Sequence, residues 1–435
     1  MTIRIKRIEL GALFPHELAE VLDRSPVPDA DVRLSAAEIV SRVRRGGDAA
    51  LNDANSTYGG GRPFGRLRVE PEELETALEG LDPGLRSALE MAARNIRACH
   101  EVQRPVDRTV EVAEGVTVDR RWAPLSRVGV YVPGGQAAYP SSLLMGVIPA
   151  QVAGVEEIVI VSPAGADGTM SEVLLAAAAL VGVDEMYATG GAQAIGALAF
   201  GTETIIPVDK IVGPGNAWVT AAKLAVYGDV AIDLPAGPSE ALVIADDSAN
   251  PRAVAADLLC QAEHGSDSPA VLVTPSRGLA DAVVQAIDTL LPTLERKSIL
   301  RAALADAGLV VLVDDMAQAI AFANRYAPEH VGVHAADAET IAVQLTGAGS
   351  VFVGAWAPHS AGDYATGANH VLPTGGLARS YGPLSVEDFG SWRQIQRLTR
   401  DGLASLRDTI ATIATAEGLT AHRLAVDVRF EDGAP

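Results

Sequence analysis

A chain of 435 residues is too long for one small core and predicts two or three packed units. With 48% hydrophobic and 20% charged residues it buries enough apolar surface to offset chain entropy, which excludes a disordered protein. Its 34 Lys+Arg against 55 Asp+Glu leave a formal charge of −21, a field that repels phosphate backbones and anionic lipid, so neither nucleic acid nor a membrane surface is expected as a partner.

Taken in chain order, the start has no long apolar block and no stretch reaches about 18 apolar residues. The first 120 residues read as helices with acidic and basic faces, at 35–47, 71–81 and 84–104. From Arg127 the pattern changes to short β-branched runs alternating with Ala/Leu-rich segments, the signature of βαβ units and a parallel sheet. Strands are expected at 127–132, 157–163, 230–235, 241–247, 270–276, 309–315, 330–337 and 350–356. Helices fill the gaps at 141–154, 170–182, 217–228, 251–265, 278–291, 316–328 and 338–349, several ending in Gly. Residues 354–390 are rich in Gly and Pro with little periodicity, and long loops of this kind tend to be functional. A last helical pattern runs over 401–426. The two βαβ blocks meet near 236–240, so the expected fold class is α/β: two Rossmann-like, doubly wound parallel sheets with the site between them, a helical N-terminal flank and a C-terminal helical tail.

Six of the eight histidines follow Cys260, which places the chemistry in that half. Gln261 and His264 share a helix face near its C-terminus, a spacing that serves one metal ion or one substrate, although a surface pair or a helix cap uses the same residues. Glu329 and His330 lie side by side just after a proline and could supply two bases of different strength, one for a hydroxyl proton and one for water, although a helix cap beside a solvated His uses the same residues. Asp363 on a Gly-rich loop is either a turn former or a carboxylate ligand. Glycine-rich turns at 132–142, 189–198 and 211–218 each stand between strand and helix, where amides receive a diphosphate, but none is a GxGxxG. Cys260 sits in an apolar helical run and reads as a packed thiol rather than a thioester nucleophile, and with Cys99 as the only other cysteine no disulfide framework is expected.

The segments VGVYVPGG, GGAQAIGALAFGT, VDKIVGPGN, AGPSE, LLCQAEHGSDSPA, YAPEH, GDYATGANHVLPT and AEGLTAH occur in an order that resembles the histidinol dehydrogenase family. The pattern of the first residues and the lack of a long apolar stretch lead to the expectation of a cytoplasmic protein, and the resemblance implies a homodimer with one zinc ion per subunit that uses NAD to oxidise L-histidinol to L-histidine through the aldehyde. It further implies Gln261, His264, Asp363 and, from the neighbouring subunit, His422 as zinc ligands, and Glu329 and His330 as the catalytic bases. Substrate contacts fall on Ser239, His330, Glu417 and the four ligands, and NAD contacts on Tyr131, Gln193 and Asn216. The implied domains are a flank at 1–30, a first α/β domain at 31–126 and 238–375 carrying zinc and the catalytic residues, an NAD-binding α/β domain at 127–237, and a tail at 376–435 reaching the partner subunit. His359 stands where many members have Glu, and Ser391 and Trp392 where many have basic residues, differences that would act through the substrate pocket. The same machinery acting on another 2-substituted primary alcohol, a zinc hydrolase, and a non-catalytic scaffold are the competing readings.

Overall fold

In the computed structural model residues 3–134 and 138–431 are described, and the chain divides into two compact units. The larger comprises 1–103 and 125–389, the smaller 104–124 and 390–435.

The larger unit holds two six-stranded sheets. The first runs in the order Lys6–Glu9, Gly308–Leu312, Ala270–Thr274, Ala241–Ala245, His330–His334, Ser350–Val353, and every neighbouring pair is parallel. The second runs Arg68–Val69, Met186–Ala188, Glu157–Ser162, Arg127–Tyr131, Lys210–Val212, Ala231–Ile232, parallel except for the antiparallel pair at its first edge. Because successive strand residues point to opposite faces, each sheet feeds two cores. Val243 and Ala245 pack under the helices Pro251–Ala262 and Arg277–Leu290, while Leu242 and Ile244 join the opposite core with Phe322 and Tyr326. Val128 and Val130 likewise face one core of the second sheet and Tyr131, Val159 and Val161 the other. The doubly wound architecture is as expected, with strands a few residues shorter than the apolar runs.

The segment boundaries differ from the expectation in three places. The helical segment expected to join residues 238–375 packs instead on the second sheet: Ala30–Tyr58 lies against Gly191–Phe200 and Ala217–Val226, Pro71–Gly80 against Glu172–Leu180, and Pro83–Glu101 against Pro140–Ala153. The reason is apolar matching, since Ile39, Val40, Val43 and Leu51 complete a core with Ile195 and Leu198. The N-terminal flank supplies an edge strand, Lys6–Glu9, to the first sheet. The supposed tail begins too early: Leu384, Val386 and Phe389 are buried in a core of the larger unit.

The smaller unit is not purely helical. Arg108–Ala113 and Val116–Pro124 form an antiparallel hairpin, turned at Gly115 with φ +72°, and Gly390–Leu398 pairs along the second of them. The helices Arg400–Ala416 and Thr420–Asp427 follow and pack on each other. Among the described residues no helix is long and apolar enough to cross a membrane.

Candidate active site

In the second sheet the chain leaves the central strand Arg127–Tyr131 toward Glu157–Ser162 and later returns on its other side at Lys210–Val212, so a crevice opens outside their carboxyl ends. There Pro133, Pro214 and Asn216 face Ser239, Glu329 and His330 from the amino ends of first-sheet strands, across a cleft of about 620 Å³ that His264, Asp363 and His370 also line. The size suits a small molecule. A neighbouring cavity of about 460 Å³ shares Tyr139, His264, Asp363 and Tyr364 and is also lined by Leu85, Leu89 and Ile96 of the helix Pro83–Glu101.

Glu329 and His330 are held by backbone as much as by side chains. The Glu329 carboxylate accepts the Ser239 hydroxyl at 2.7 Å and the Glu240 amide at 2.9 Å. Burial, which disfavours the charged form, still pushes its carboxyl up to about 8 despite these two bonds. His330 Nδ1 donates to the Glu240 carbonyl at 3.4 Å, an arrangement that leaves Nε2 as acceptor. Burial lowers the His330 imidazole below its ordinary value and keeps it neutral. Two adjacent bases are thus driven in opposite directions.

Gln261 occupies the last turn of Pro251–Ala262, which packs against the short helix His359–Tyr364 carrying Asp363. The Gln261 amide is buried, and its Nε2 has no hydrogen-bond partner. Asp363 is half-buried, and burial raises its carboxyl, so a cation beside it would be favoured. Among the described residues no three His, Cys, Asp or Glu side chains converge to hold a metal by themselves. One amide, one imidazole and one carboxylate nevertheless fit a zinc ion that takes a further donor from outside this set, and an orphaned buried amide is the kind of group such an ion satisfies. His422 and Glu417 are exposed and belong to the smaller unit.

The three residues expected to contact a dinucleotide differ in their setting. Asn216 lines the cleft, but its side-chain oxygen caps the helix Ala217–Val226 by accepting from the amides of Trp218 at 3.0 Å and Val219 at 3.2 Å. Tyr131 and Gln193 are buried. The Tyr131 hydroxyl accepts from the Gly191 amide at 3.2 Å, and Gln193 Nε2 donates to Asn55 and to the Gly59 carbonyl. These two shape the turn beneath the crevice. Of the first glycine turn, residues 135–137 lie outside the described residues.

His359 lines neither cavity. It is buried behind His330, with ring centroids 5.7 Å apart and 5.0 Å from Phe352, and burial drives its imidazole down to about 3. Both of its ring nitrogens lack a partner. Ser391 and Trp392 lie on the antiparallel strand of the smaller unit, where Trp392 meets Trp122 edge-on at 5.4 Å and carries Arg120 over its ring. Cys99 and Cys260 are free, and burial raises the Cys260 thiol to about 12, too high for a nucleophile. Sequence reasoning missed His370, whose Nδ1 bonds the Asp363 carbonyl at 3.1 Å, and Arg24, which pairs with the Glu240 carboxylate. Neither stands in a spacing that marks it.

Comparison with known proteins gives one result. The family model described as histidinol dehydrogenase matches residues 22–430. A histidinol dehydrogenase of Halobacterium salinarum is 49% identical over 421 residues, covering 97% of this chain and 98% of that relative. One from Vibrio cholerae is 44% identical over 415 residues, covering 94% and 95%. The crystal structure of histidinol dehydrogenase from Elizabethkingia anophelis superposes with a TM-score of 0.93 at 38% identity, covering 99% of this chain and 98% of that one.

Proposed function

Because the chain belongs to the histidinol dehydrogenase family, we propose that it converts L-histidinol to L-histidine by two successive oxidations at one carbon, as a zinc- and NAD-dependent cytoplasmic homodimer. The observation that carries the chemistry is the Glu329–His330 pair, two bases with oppositely shifted protonation in one cleft. Neutral His330 accepts the hydroxyl proton as hydride leaves the carbinol carbon, giving the aldehyde. Ionised Glu329 takes a proton from water as the water adds to that aldehyde, and the resulting hydrate loses the second hydride and a proton to give the acid. Ser239 and the Glu240 amide aim the Glu329 carboxylate during the hydration step.

Zinc, held by Gln261, His264, Asp363 and His422 of the partner subunit, supplies a Lewis-acid anchor for the substrate amine and imidazole. NAD supplies the hydride acceptor, and the crevice at Asn216 is where a dinucleotide fits, with Tyr131 and Gln193 shaping the turn beneath it. Ser239, His330 and Glu417 complete the substrate contacts. His359 does not border the cleft, so it gives no reason to prefer another alcohol.

The test is stoichiometric. Zinc-replete protein with histidinol and NAD should form two NADH per histidine. One NADH per substrate would limit the chain to alcohol oxidation, and turnover of other amino or sulfonated alcohols in place of histidinol would overturn the substrate.

A further inference from the structure

The N-terminal segment 24–28, Arg-Ser-Pro-Val-Pro, threads between two turns of the larger unit. A side-chain carbon on Gly237 would lie 3.2 Å from Pro26 Cα, and one on Gly375 would lie 2.3 Å from the Arg24 carbonyl oxygen. Ser25 to Asp29 then form part of the cleft wall. So constrained, Arg24 sends its guanidinium inward. One nitrogen donates to the Glu240 carboxylate and the other to the Tyr326 carbonyl, while the guanidinium carbon sits 3.3 Å from the centroid of the Tyr326 ring.

Those two partners head the segments that carry the chemistry. Glu240 is 2% exposed, follows Ser239, gives its amide to Glu329 and its carbonyl to His330, and has its second carboxylate oxygen on the Gly375 amide at 3.0 Å. Tyr326 ends its helix and precedes Ala327, which holds a left-handed φ of +50° without being glycine, before Pro328 and the two bases. A residue in that region costs about 1 kcal/mol or more and persists only where its surroundings fix it. Without the cation, Glu240 would be a buried carboxylate lacking its counter-ion, and the strained turn would lose the group holding its carbonyl. A planar guanidinium serves two acceptors and a ring face at once, which an ammonium does not.

We infer that Arg24 is a positioning residue: it locks segment 236–240 to segment 326–330 and thereby keeps the Ser239 hydroxyl, the Glu240 amide and the Glu240 carbonyl on Glu329 and His330. What the locked pair does rests on the proposed reaction; the lock itself does not.

The two are separable by experiment. Backbone amide exchange of full-length protein, measured without substrate, compares wild type with Arg24→Met. Exchange at Glu240 and His330 should quicken by about tenfold or more, while Val130 in the second sheet stays unchanged. Unchanged exchange at both sites, or an equal rise at Val130, overturns the inference. With histidinol, Arg24→Met should lower kcat about 10²-fold with KM within about threefold, as expected when catalytic groups are misplaced by about 1 Å. Arg24→Lys, which keeps the charge but a single donor group, should regain part of that loss. A loss confined to KM would contradict a positioning role. If Arg24→Met does not fold, Glu240→Gln opens the same lock from the other side, and unchanged exchange at Glu240 and His330 in that variant overturns it equally. Wild-type protein that fails to oxidise histidinol sinks the reaction and leaves the exchange result standing.

Discussion

Replacing Ser239 by Ala removes one of the two hydrogen bonds on the Glu329 carboxylate and leaves the Glu240 amide in place. A hydrogen bond to a charged group contributes about 1.5–3 kcal/mol. At 1.36 kcal/mol per tenfold change in protonation, its loss raises the Glu329 carboxyl by about one to two pH units. In the wild type that group stands at about 8, so about a tenth is ionised at pH 7. In Ser239→Ala the ionised share at pH 7 drops to about one part in 10² to 10³. If Glu329 is the base for hydration, kcat/KM for histidinal should fall about 10- to 100-fold at pH 7 and recover much of the loss as pH rises. The assay is NADH formation from histidinal over a range of pH, read as the midpoint of the rising limb. A midpoint identical to that of the wild type, or a loss independent of pH, would refute the assignment of that limb to Glu329.

Glu329→Gln should slow oxidation of the aldehyde far more than oxidation of the alcohol, and equal losses in both halves would end the division of labour. The same variant has a stability signature. Glu329 is raised in the folded chain, so the native state holds a proton that the unfolded state releases between 4.5 and about 8. This group's contribution to stability therefore falls as pH rises through that window. Glu329→Gln should flatten the decline in Tm, and an unchanged slope would show that ionising Glu329 costs the fold nothing. His359→Glu places a carboxylate behind His330, at a ring separation of 5.7 Å in the native pair. It should raise the His330 imidazole and move the acid limb of alcohol oxidation to higher pH, whereas a limb that stays or moves down would exclude a charge effect. Mixing His422→Ala chains with Gln261→Ala chains should restore part of the activity if the last ligand crosses between subunits. Verified mixed dimers without recovery would return His422 to its own site.

The alternation of apolar runs and helical periods from Arg127 onward was enough for two parallel sheets, because strands buried on both faces need continuous apolar residues such as Val159–Val161 and Leu242–Ile244. The sheet edges were less legible. Lys6–Glu9 carries a single buried residue and Arg68–Val69 is two residues long, too little pattern to read as strands. The hairpin at 108–124 and its partner Gly390–Leu398 face solvent along much of their length, so no periodic apolar face announces them. Assigning the helical layer to the wrong sheet has a similar origin. An amphipathic helix shows that it must cover something, while what it covers is settled by which apolar faces match.

At the site, residue type and local spacing made Gln261, His264, Glu329, His330 and Asp363 candidates and left bland readings open, and it was the ordered family motifs that pointed to metal binding and acid–base work, since such chemistry needs particular atoms and short motifs carry them. Their protonation, and the hands that hold them, came from elsewhere in the chain. Glu329 rises to about 8 because folding buries it, and Glu240 turns toward a cation 216 positions away in sequence. Chemical identity is a property of single residues and survives in a string of letters. Desolvation and long-range pairing are properties of the packed interior, and they exist only once distant segments have met.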